Sequence, residues 1–145
     1  MKLTMAIKFY NDGSAYRLPQ KRVTAAWVAE CIRAEGLTPG DVSYIFCSQE
    51  KHLEINRAYL GHDYQTDVIT FDYSDLSAGI VGGDIFIDPV TVAGNATLYG
   101  AIKEQEMRRV LIHGVLHLCG YGDKTQKEQK AMRAKEDECL ARWPE

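Results

Sequence analysis

Two histidines and a nearby aspartate have the spacing of metal ligands. His113 and His117 stand four residues apart in an apolar segment, and Asp123 follows the second histidine closely. Four residues of an α-helix turn through about 400°, so both imidazoles leave the same face, roughly 6 Å apart along the axis. Two imidazoles in this relation can bind a single metal ion.

The residues after His117 could bring a third ligand to the same point. Gly120 stands where the end of a helix favours a residue with positive φ, so the chain can turn back and present the Asp123 carboxylate. Zinc accepts carboxylate oxygen, and three protein ligands leave a fourth position for water, as in catalytic zinc sites. We therefore predict one Zn²⁺ held by His113, His117 and Asp123.

The alternative is a purely structural role, in which the two histidines only pack within the helix or cap it. The residues around them are apolar almost all round, which predicts a buried helix. Buried imidazoles need polar partners, and a metal ion supplies them. The spacing is also similar to the extended zincin pattern, but Gly114 stands where a metallopeptidase carries its general-base glutamate. Glycine cannot move a proton, so peptidase chemistry is disfavoured.

The elements that position these residues follow from hydrophobic periodicity and turn chemistry. Thr38, Pro39 and Gly40 predict a turn, Ser48 a helix cap, and residues 74–79 a hairpin loop. Strands are predicted at 3–9, 42–47, 67–73 and 80–87, and helices at 22–35, 49–60, 89–98, 103–119 and 126–142. This order favours an α+β fold with a single mixed four-stranded sheet covered by helices, and the metal site on a helix and turn in the C-terminal third.

Composition limits the class of protein. The 145 residues are 46 % hydrophobic and 26 % charged, which favours one globular domain over residues 1–145. A net charge of −3 excludes a strongly basic protein held to nucleic acid by bulk charge. The absence of a long apolar run and of a signal-peptide pattern predicts a cytoplasmic protein with no membrane partner. Four widely spaced cysteines without a C-x-x-C pair predict unpaired thiols.

Several ordered blocks resemble one family. Residues 113–121 are similar to the signature of the YbeY family of metal-dependent endoribonucleases. Further matching blocks, spread over about 90 residues, are Asn56 with Tyr59, residues 66–71, Gly83-Asp84-Ile85, and Met132 with Glu136. The resemblance implies a bacterial protein that cleaves single-stranded ribosomal RNA in small-subunit maturation and ribosome quality control. It also implies one zinc ion and association with the small ribosomal subunit and assembly factors.

Two positions depart from the family pattern. Asp123 replaces the usual third histidine, which keeps a ligand but adds negative charge and should make the metal a weaker Lewis acid. Leu60 replaces an arginine associated with activity on RNA, and Arg57 is a candidate substitute. This second departure favours an alternative function: a ribosome-assembly binding factor whose metal is mainly structural.

Charged residues suggest where RNA could lie. Residues 58–102 contain no lysine or arginine but six aspartates, which repel phosphate. Cations concentrate instead at Lys103, Arg108, Arg109, Lys124, Lys127, Lys130, Arg133 and Lys135. These side chains either hold a single-stranded RNA backbone or form an ordinary solvated helix face.

Two aspartates on predicted strands are the candidate catalytic carboxylates. Asp67 and Asp84 are flanked by apolar residues, and a buried carboxylate needs a partner, so a hydrogen bond to a metal-bound histidine is expected. The alternative for Asp67 is a carboxylate that caps backbone N–H groups at the strand end. With these two residues we group Arg57 as catalytic. His62 is a candidate proton carrier, and the alternative, which the sequence favours, is an ordinary exposed loop histidine.

Overall fold

The computed structural model describes residues 7–61 and 66–144. The strands are β1 (Ile7–Asp12), β2 (Thr38–Cys47), β3 (Val68–Asp72) and β4 (Ile80–Ile87). The helices are α1 (Lys21–Ala34), α2 (Gln49–Leu60), α3 (Pro89–Tyr99), α4 (Lys103–Leu118) and α5 (Gln126–Ala141). None of the described helices is long and apolar enough to cross a bilayer.

The four strands form one mixed sheet in the order β1-β2-β4-β3. β1, β2 and β4 run parallel, and β3 pairs with β4 in the antiparallel direction through the predicted hairpin. Tyr44 of β2 and Thr70 of β3 flank Ile85 of β4 in register. The predicted α+β architecture with a mixed four-stranded sheet is therefore confirmed.

Local signals placed most helix ends correctly. Ser48 accepts a hydrogen bond from the Lys51 backbone N–H at 3.1 Å, and Gly61 ends α2 with a φ of 69°. Both features are the predicted cap and stop, because the serine oxygen satisfies a free N–H and glycine tolerates the left-handed conformation. All four cysteines are unpaired thiols, as expected.

The predicted turn at residues 38–40 is wrong, because β2 begins at Thr38. The strand register shifts between Pro39 and Val42, so a bulge accommodates a proline that lacks an N–H. A Cβ on Gly40 would lie 2.8 Å from both Ile80 Cγ2 and the Val81 carbonyl oxygen, so glycine permits the close approach of β4. Of the strand predicted at 3–9, the part before Ile7 lies outside the described residues.

Helix α4 is fixed on the sheet by one close contact and one long-range hydrogen bond. A Cβ on Gly114 would lie 2.9 Å from Ile85 Cγ2, so the helix backbone rests directly on β4. The Tyr44 hydroxyl donates to the Leu111 carbonyl oxygen at 2.8 Å. Leu111 and Val115 are completely buried, whereas His113 and His117 on the adjoining face are partly open to solvent. The packing therefore presents the two imidazoles away from the sheet.

Candidate metal centre

His113, His117 and Asp123 converge on one point. The Nε2 atoms of the two histidines are 3.0 Å apart, and Asp123 Oδ2 lies 3.3 Å from His113 Nε2 and 3.2 Å from His117 Nε2. The imidazole planes are nearly perpendicular, at 87°, so the two ring nitrogens approach a common centre from different directions. These residues form the group of potential metal ligands found in the described part of the chain.

The size of this triangle fits a zinc ion. Ligand atoms at about 2.0–2.1 Å from a tetrahedral zinc are separated from one another by about 3.3 Å. The three observed separations, 3.0, 3.2 and 3.3 Å, match that value closely. Side-chain exposures of 23 % for His113, 25 % for His117 and 41 % for Asp123 leave the centre accessible. The residues present therefore fit a metal with three protein ligands and one open position.

The hydrogen bonds of the imidazoles leave both Nε2 atoms available as ligands. His117 Nδ1 lies 2.9 Å from the Tyr121 carbonyl oxygen, which can only accept, so this nitrogen carries the proton. His113 Nδ1 lies 2.7 Å from Glu136 Oε2. In the neutral tautomers both Nε2 lone pairs then point at each other and at the Asp123 carboxylate, an arrangement that a cation stabilises.

Glu136 of α5 links His113 to an arginine. Its Oε1 accepts a hydrogen bond from Arg109 at 2.7 Å, and Arg109 also donates to Asp137 at 2.8 Å. Burial raises the pKa of Glu136, but hydrogen bonds from His113 and Arg109 outweigh burial and lower it overall. Burial lowers the pKa of His113, and the Glu136 hydrogen bond, together with the charges of Asp123 and Asp67, raises it overall. The carboxylate therefore stays ionised and strengthens the basicity of its histidine.

A short loop carries Asp123 back to the helix. Gly120 adopts a φ of 109°, and the Tyr121 backbone N–H donates to the Leu116 carbonyl oxygen at 3.0 Å. The Tyr121 hydroxyl donates to Glu35 at 2.5 Å. Gln129 donates its amide N–H to the Asp123 carbonyl oxygen at 3.1 Å. These hydrogen bonds attach the loop to α4, to the end of α1 and to α5. They thereby fix the position of the third ligand.

The loop ends in a capping box that explains one feature of the sequence. Thr125 and Glu128 exchange hydrogen bonds at the start of α5, and the Glu128 carboxylate also accepts from the Lys124 N–H. A Cβ on Gly122 would lie 2.8 Å from Glu128 Oε2, so a side chain at this position would collide with the cap. A larger residue at this position would therefore have to displace the flexible Glu128 carboxylate from the cap.

The other predicted site residues do not join the three ligands. Asp67 is half-buried just before β3, and its negative charge contributes to the raised pKa of both His113 and Glu106. Asp84 adjoins Ile85, which packs against α4, and alternation along the strand turns Asp84 to the opposite face. Arg57 is exposed on α2, the helix that packs on that opposite face through Tyr59 and Phe71. His62 lies outside the described residues.

One expectation about the aspartates is wrong. Neither Asp67 nor Asp84 forms the second hydrogen bond of a ligand histidine, because Glu136 and the Tyr121 carbonyl hold those positions. The sequence contained a signal for Glu136 that periodicity could have revealed. Met132, Glu136 and Cys139 recur at helical spacing and are all buried, so the glutamate interrupts an apolar stripe and needs a buried partner.

A comparison with protein families decides the relationship. The family model described as Endoribonuclease YbeY matches residues 10–144. The chain belongs to the YbeY family. The Endoribonuclease YbeY of Parabacteroides distasonis is 43 % identical over 141 residues, covering 97 % of this chain and 98 % of that protein. The Endoribonuclease YbeY of Cytophaga hutchinsonii is 44 % identical over 135 residues, covering 93 % and 94 % respectively.

The fold agrees with a solved structure. The solution structure of TM1509 from Thermotoga maritima superposes with a TM-score of 0.68 at 28 % identity, covering 94 % of this chain and 87 % of that one. The predicted resemblance to the YbeY family is thus confirmed over nearly the whole sequence. In this YbeY-family chain, Asp123 converges with His113 and His117 on the candidate metal centre.

Proposed function

We propose that this YbeY-family protein is a metal-dependent, single-strand-specific endoribonuclease. It acts in small-subunit ribosomal RNA maturation and ribosome quality control, in the cytoplasm, with the small subunit and assembly factors as partners. The observation that carries the proposal is the convergence of His113, His117 and Asp123 within 3.3 Å of one another in a chain of an endoribonuclease family. The proposed ion is a single Zn²⁺, supported by the size of that triangle.

A bound zinc would polarise a phosphoryl oxygen or activate water. The protein side chains prepare this chemistry. Glu136 orients His113 and raises its basicity, and the Tyr121 carbonyl holds the His117 proton on Nδ1. RNA offers its own 2′-hydroxyl as a nucleophile, and water is the alternative. Both routes require a group that removes a proton from the attacking oxygen.

We assign the proton-accepting role to Asp67 in preference to Asp84. The charge of Asp67 acts on His113, whereas Asp84 lies on the sheet face turned away from α4. Arg57 stays a prediction as a phosphate-binding residue. A second carboxylate near the centre is also consistent with the negative charge that Asp123 adds, because both favour binding of a divalent cation.

The test is cleavage of RNA by the purified, metal-loaded protein. Wild type should cut a single-stranded oligonucleotide and spare the same sequence in a duplex. His117→Ala should lose at least about 100-fold in rate, since it removes a ligand. Asp41→Asn, a change on the exposed part of β2, is the matched control and should keep full activity. Equal rates for wild type and His117→Ala would remove the proposed role of the metal.

One observation favours a second function, a ribosome-assembly binding factor with a structural metal. Leu60 replaces the arginine that the family resemblance associates with RNA cleavage, and its side chain is 44 % exposed on α2. This alternative predicts that His117→Ala, if folded, complements a strain lacking the protein. Full complementation by a folded variant without RNA cleavage would support binding over catalysis.

The structure also bears on peptidase chemistry. A glutamate in place of Gly114 would be directed at Ile85 and the sheet, because a Cβ there already lies 2.9 Å from the isoleucine. The helix face that carries a general base in zincins is therefore packed against β4 in this protein. This contact supports the proposal that the metal serves RNA and not peptide hydrolysis.

A further inference from the structure

A cleft opens between the first half of α4 and α5, next to the Arg109–Glu136 ion pair that adjoins His113. Its volume is about 660 Å³, and residues from the end of α3 and the C-terminal segment complete its wall. Three arginines line it, Arg108, Arg109 and Arg133, together with the aromatic residues Tyr99 and Trp143. The cleft thus gathers basic residues that are far apart in the sequence.

The three guanidinium groups differ in their interaction partners. Arg109 is engaged by Glu136 and Asp137. Arg108 lies 4.1 Å above the ring of Trp143, and Arg133 is exposed. Within residues 7–61 and 66–144, neither Arg108 nor Arg133 forms an ion pair with a carboxylate. Both charges are therefore available to an anionic ligand, with Glu106, which interacts electrostatically with Arg133, as the carboxylate in the lining of the cleft.

The cleft and the metal centre share structural elements. Arg109 precedes His113 by one helical turn, about 6 Å along α4. Glu136 accepts from Arg109 with one oxygen and bonds His113 with the other. The Arg109–Glu136 ion pair therefore connects the wall of the cleft to a ligand of the metal centre.

The charge distribution indicates which direction a phosphate chain would take. Residues 58–102, which include β3 and β4, contain no lysine or arginine and six aspartates, Asp67 among them. The charge of Asp67, which acts on His113, repels a polyanion at the metal centre, whereas Arg108 and Arg133 attract it. Tyr99 is 67 % exposed at the cleft and offers an aromatic face for a base.

We propose that this cleft binds a nucleotide of single-stranded RNA next to the scissile phosphate. Arg108 and Arg133 contact the phosphate, and the base stacks on Tyr99. A cleft of this volume accommodates a group the size of a single nucleotide. This inference rests on the proposed endoribonuclease function, because it assigns a subsite to that activity.

The test measures RNA binding and cleavage separately. Zinc-loaded full-length protein is titrated into a labelled single-stranded 2′-O-methyl RNA, which lacks the 2′-hydroxyl nucleophile, at several salt concentrations. Arg133→Gln and Tyr99→Ala change exposed side chains of the cleft. Lys8→Gln removes one charge on the sheet face opposite α4 and serves as control. Thermal unfolding confirms that each variant is folded.

We expect Arg133→Gln and Tyr99→Ala to raise Kd about three- to tenfold, while Lys8→Gln leaves it unchanged. Arg133→Gln should also reduce the slope of log K against log salt by about one. With cleavable RNA, both cleft variants should raise KM with kcat nearly constant, and a substrate too short to reach the cleft should not distinguish them from wild type.

If both cleft variants bind RNA as tightly as the Lys8→Gln control, the subsite proposal is refuted. Cleavage of RNA by wild type would then still support the proposed function. Weaker binding by the cleft variants, with no cleavage by wild type, would instead support an RNA site and refute the endoribonuclease proposal. An acidic peptide tests the alternative occupant. If it binds Arg133→Gln as tightly as wild type, it does not use the cleft, and the RNA subsite stands.

Discussion

Replacing Glu136 by glutamine should weaken metal binding without removing a ligand. Glu136 is 5 % exposed, and its carboxylate bonds His113 Nδ1 and Arg109 at 2.7 Å each. A glutamine has one oxygen and one NH₂ group, so it cannot accept from both partners. If its oxygen faces Arg109, its NH₂ faces His113 and favours the tautomer with the proton on Nε2, which cannot bind a metal. If the amide is turned the other way, its NH₂ faces the guanidinium, and two hydrogen-bond donors then oppose each other.

The expected magnitude follows from this loss of orientation and charge. Removing the partner of a metal-bound histidine costs about 10- to 100-fold in affinity, which is about 1.4–2.7 kcal/mol. The protein should still fold, since Arg109 keeps its 2.8 Å bond to Asp137. We therefore expect Glu136→Gln to raise the Kd for Zn²⁺ by one to two orders of magnitude.

A competition titration against a chromophoric zinc chelator measures this change. Asp137→Asn is the matched control, because it alters the other carboxylate of Arg109 and does not touch His113. It should change the Kd for Zn²⁺ by less than about twofold. The reasoning is refuted if Glu136→Gln binds zinc as tightly as wild type, or if both variants lose the same affinity.

Three further outcomes are expected. In the metal-free protein the raised pKa of His113 keeps its ring protonated to a higher pH than usual. Zinc affinity should therefore fall as the pH is lowered through that pKa, because zinc must displace the proton. Calorimetry in several buffers measures the protons released on zinc binding. Gly83→Ala should destabilise the protein by about 2–3 kcal/mol in urea unfolding, because a Cβ would overlap the Phe71 carbonyl oxygen, whereas Gly94→Ala, with open space around it, should not destabilise. Tyr121→Phe should lower the free energy of unfolding by about 1–2 kcal/mol, because the hydrogen bond to Glu35 is lost. Zinc affinity should stay within twofold, because the Tyr121 carbonyl oxygen still accepts from His117. A large loss of zinc affinity would contradict this role of the carbonyl.

The sequence by itself determined the local part of the metal centre. His113 and His117 share a helix face because four residues complete about one turn, and Gly120 ends that helix because it tolerates positive φ. The cap at Ser48 and the stop at Gly61 were predictable for the same reason. These features depend on backbone geometry within a few residues and need no knowledge of the rest of the chain.

Only the tertiary structure decided which groups surround the ligands. Glu136 reaches His113 from α5, 23 residues further along the chain, because α4 and α5 pack side by side. Asp84 looked equally suitable as a buried carboxylate, but pairing of β4 between β2 and β3 turns it to the other face of the sheet. The cleft that gathers Arg108 and Arg133 likewise exists only once the two helices are docked. Hydrophobic periodicity specifies which face of an element is buried, and the choice of partner across that face is made by the packing of the whole fold.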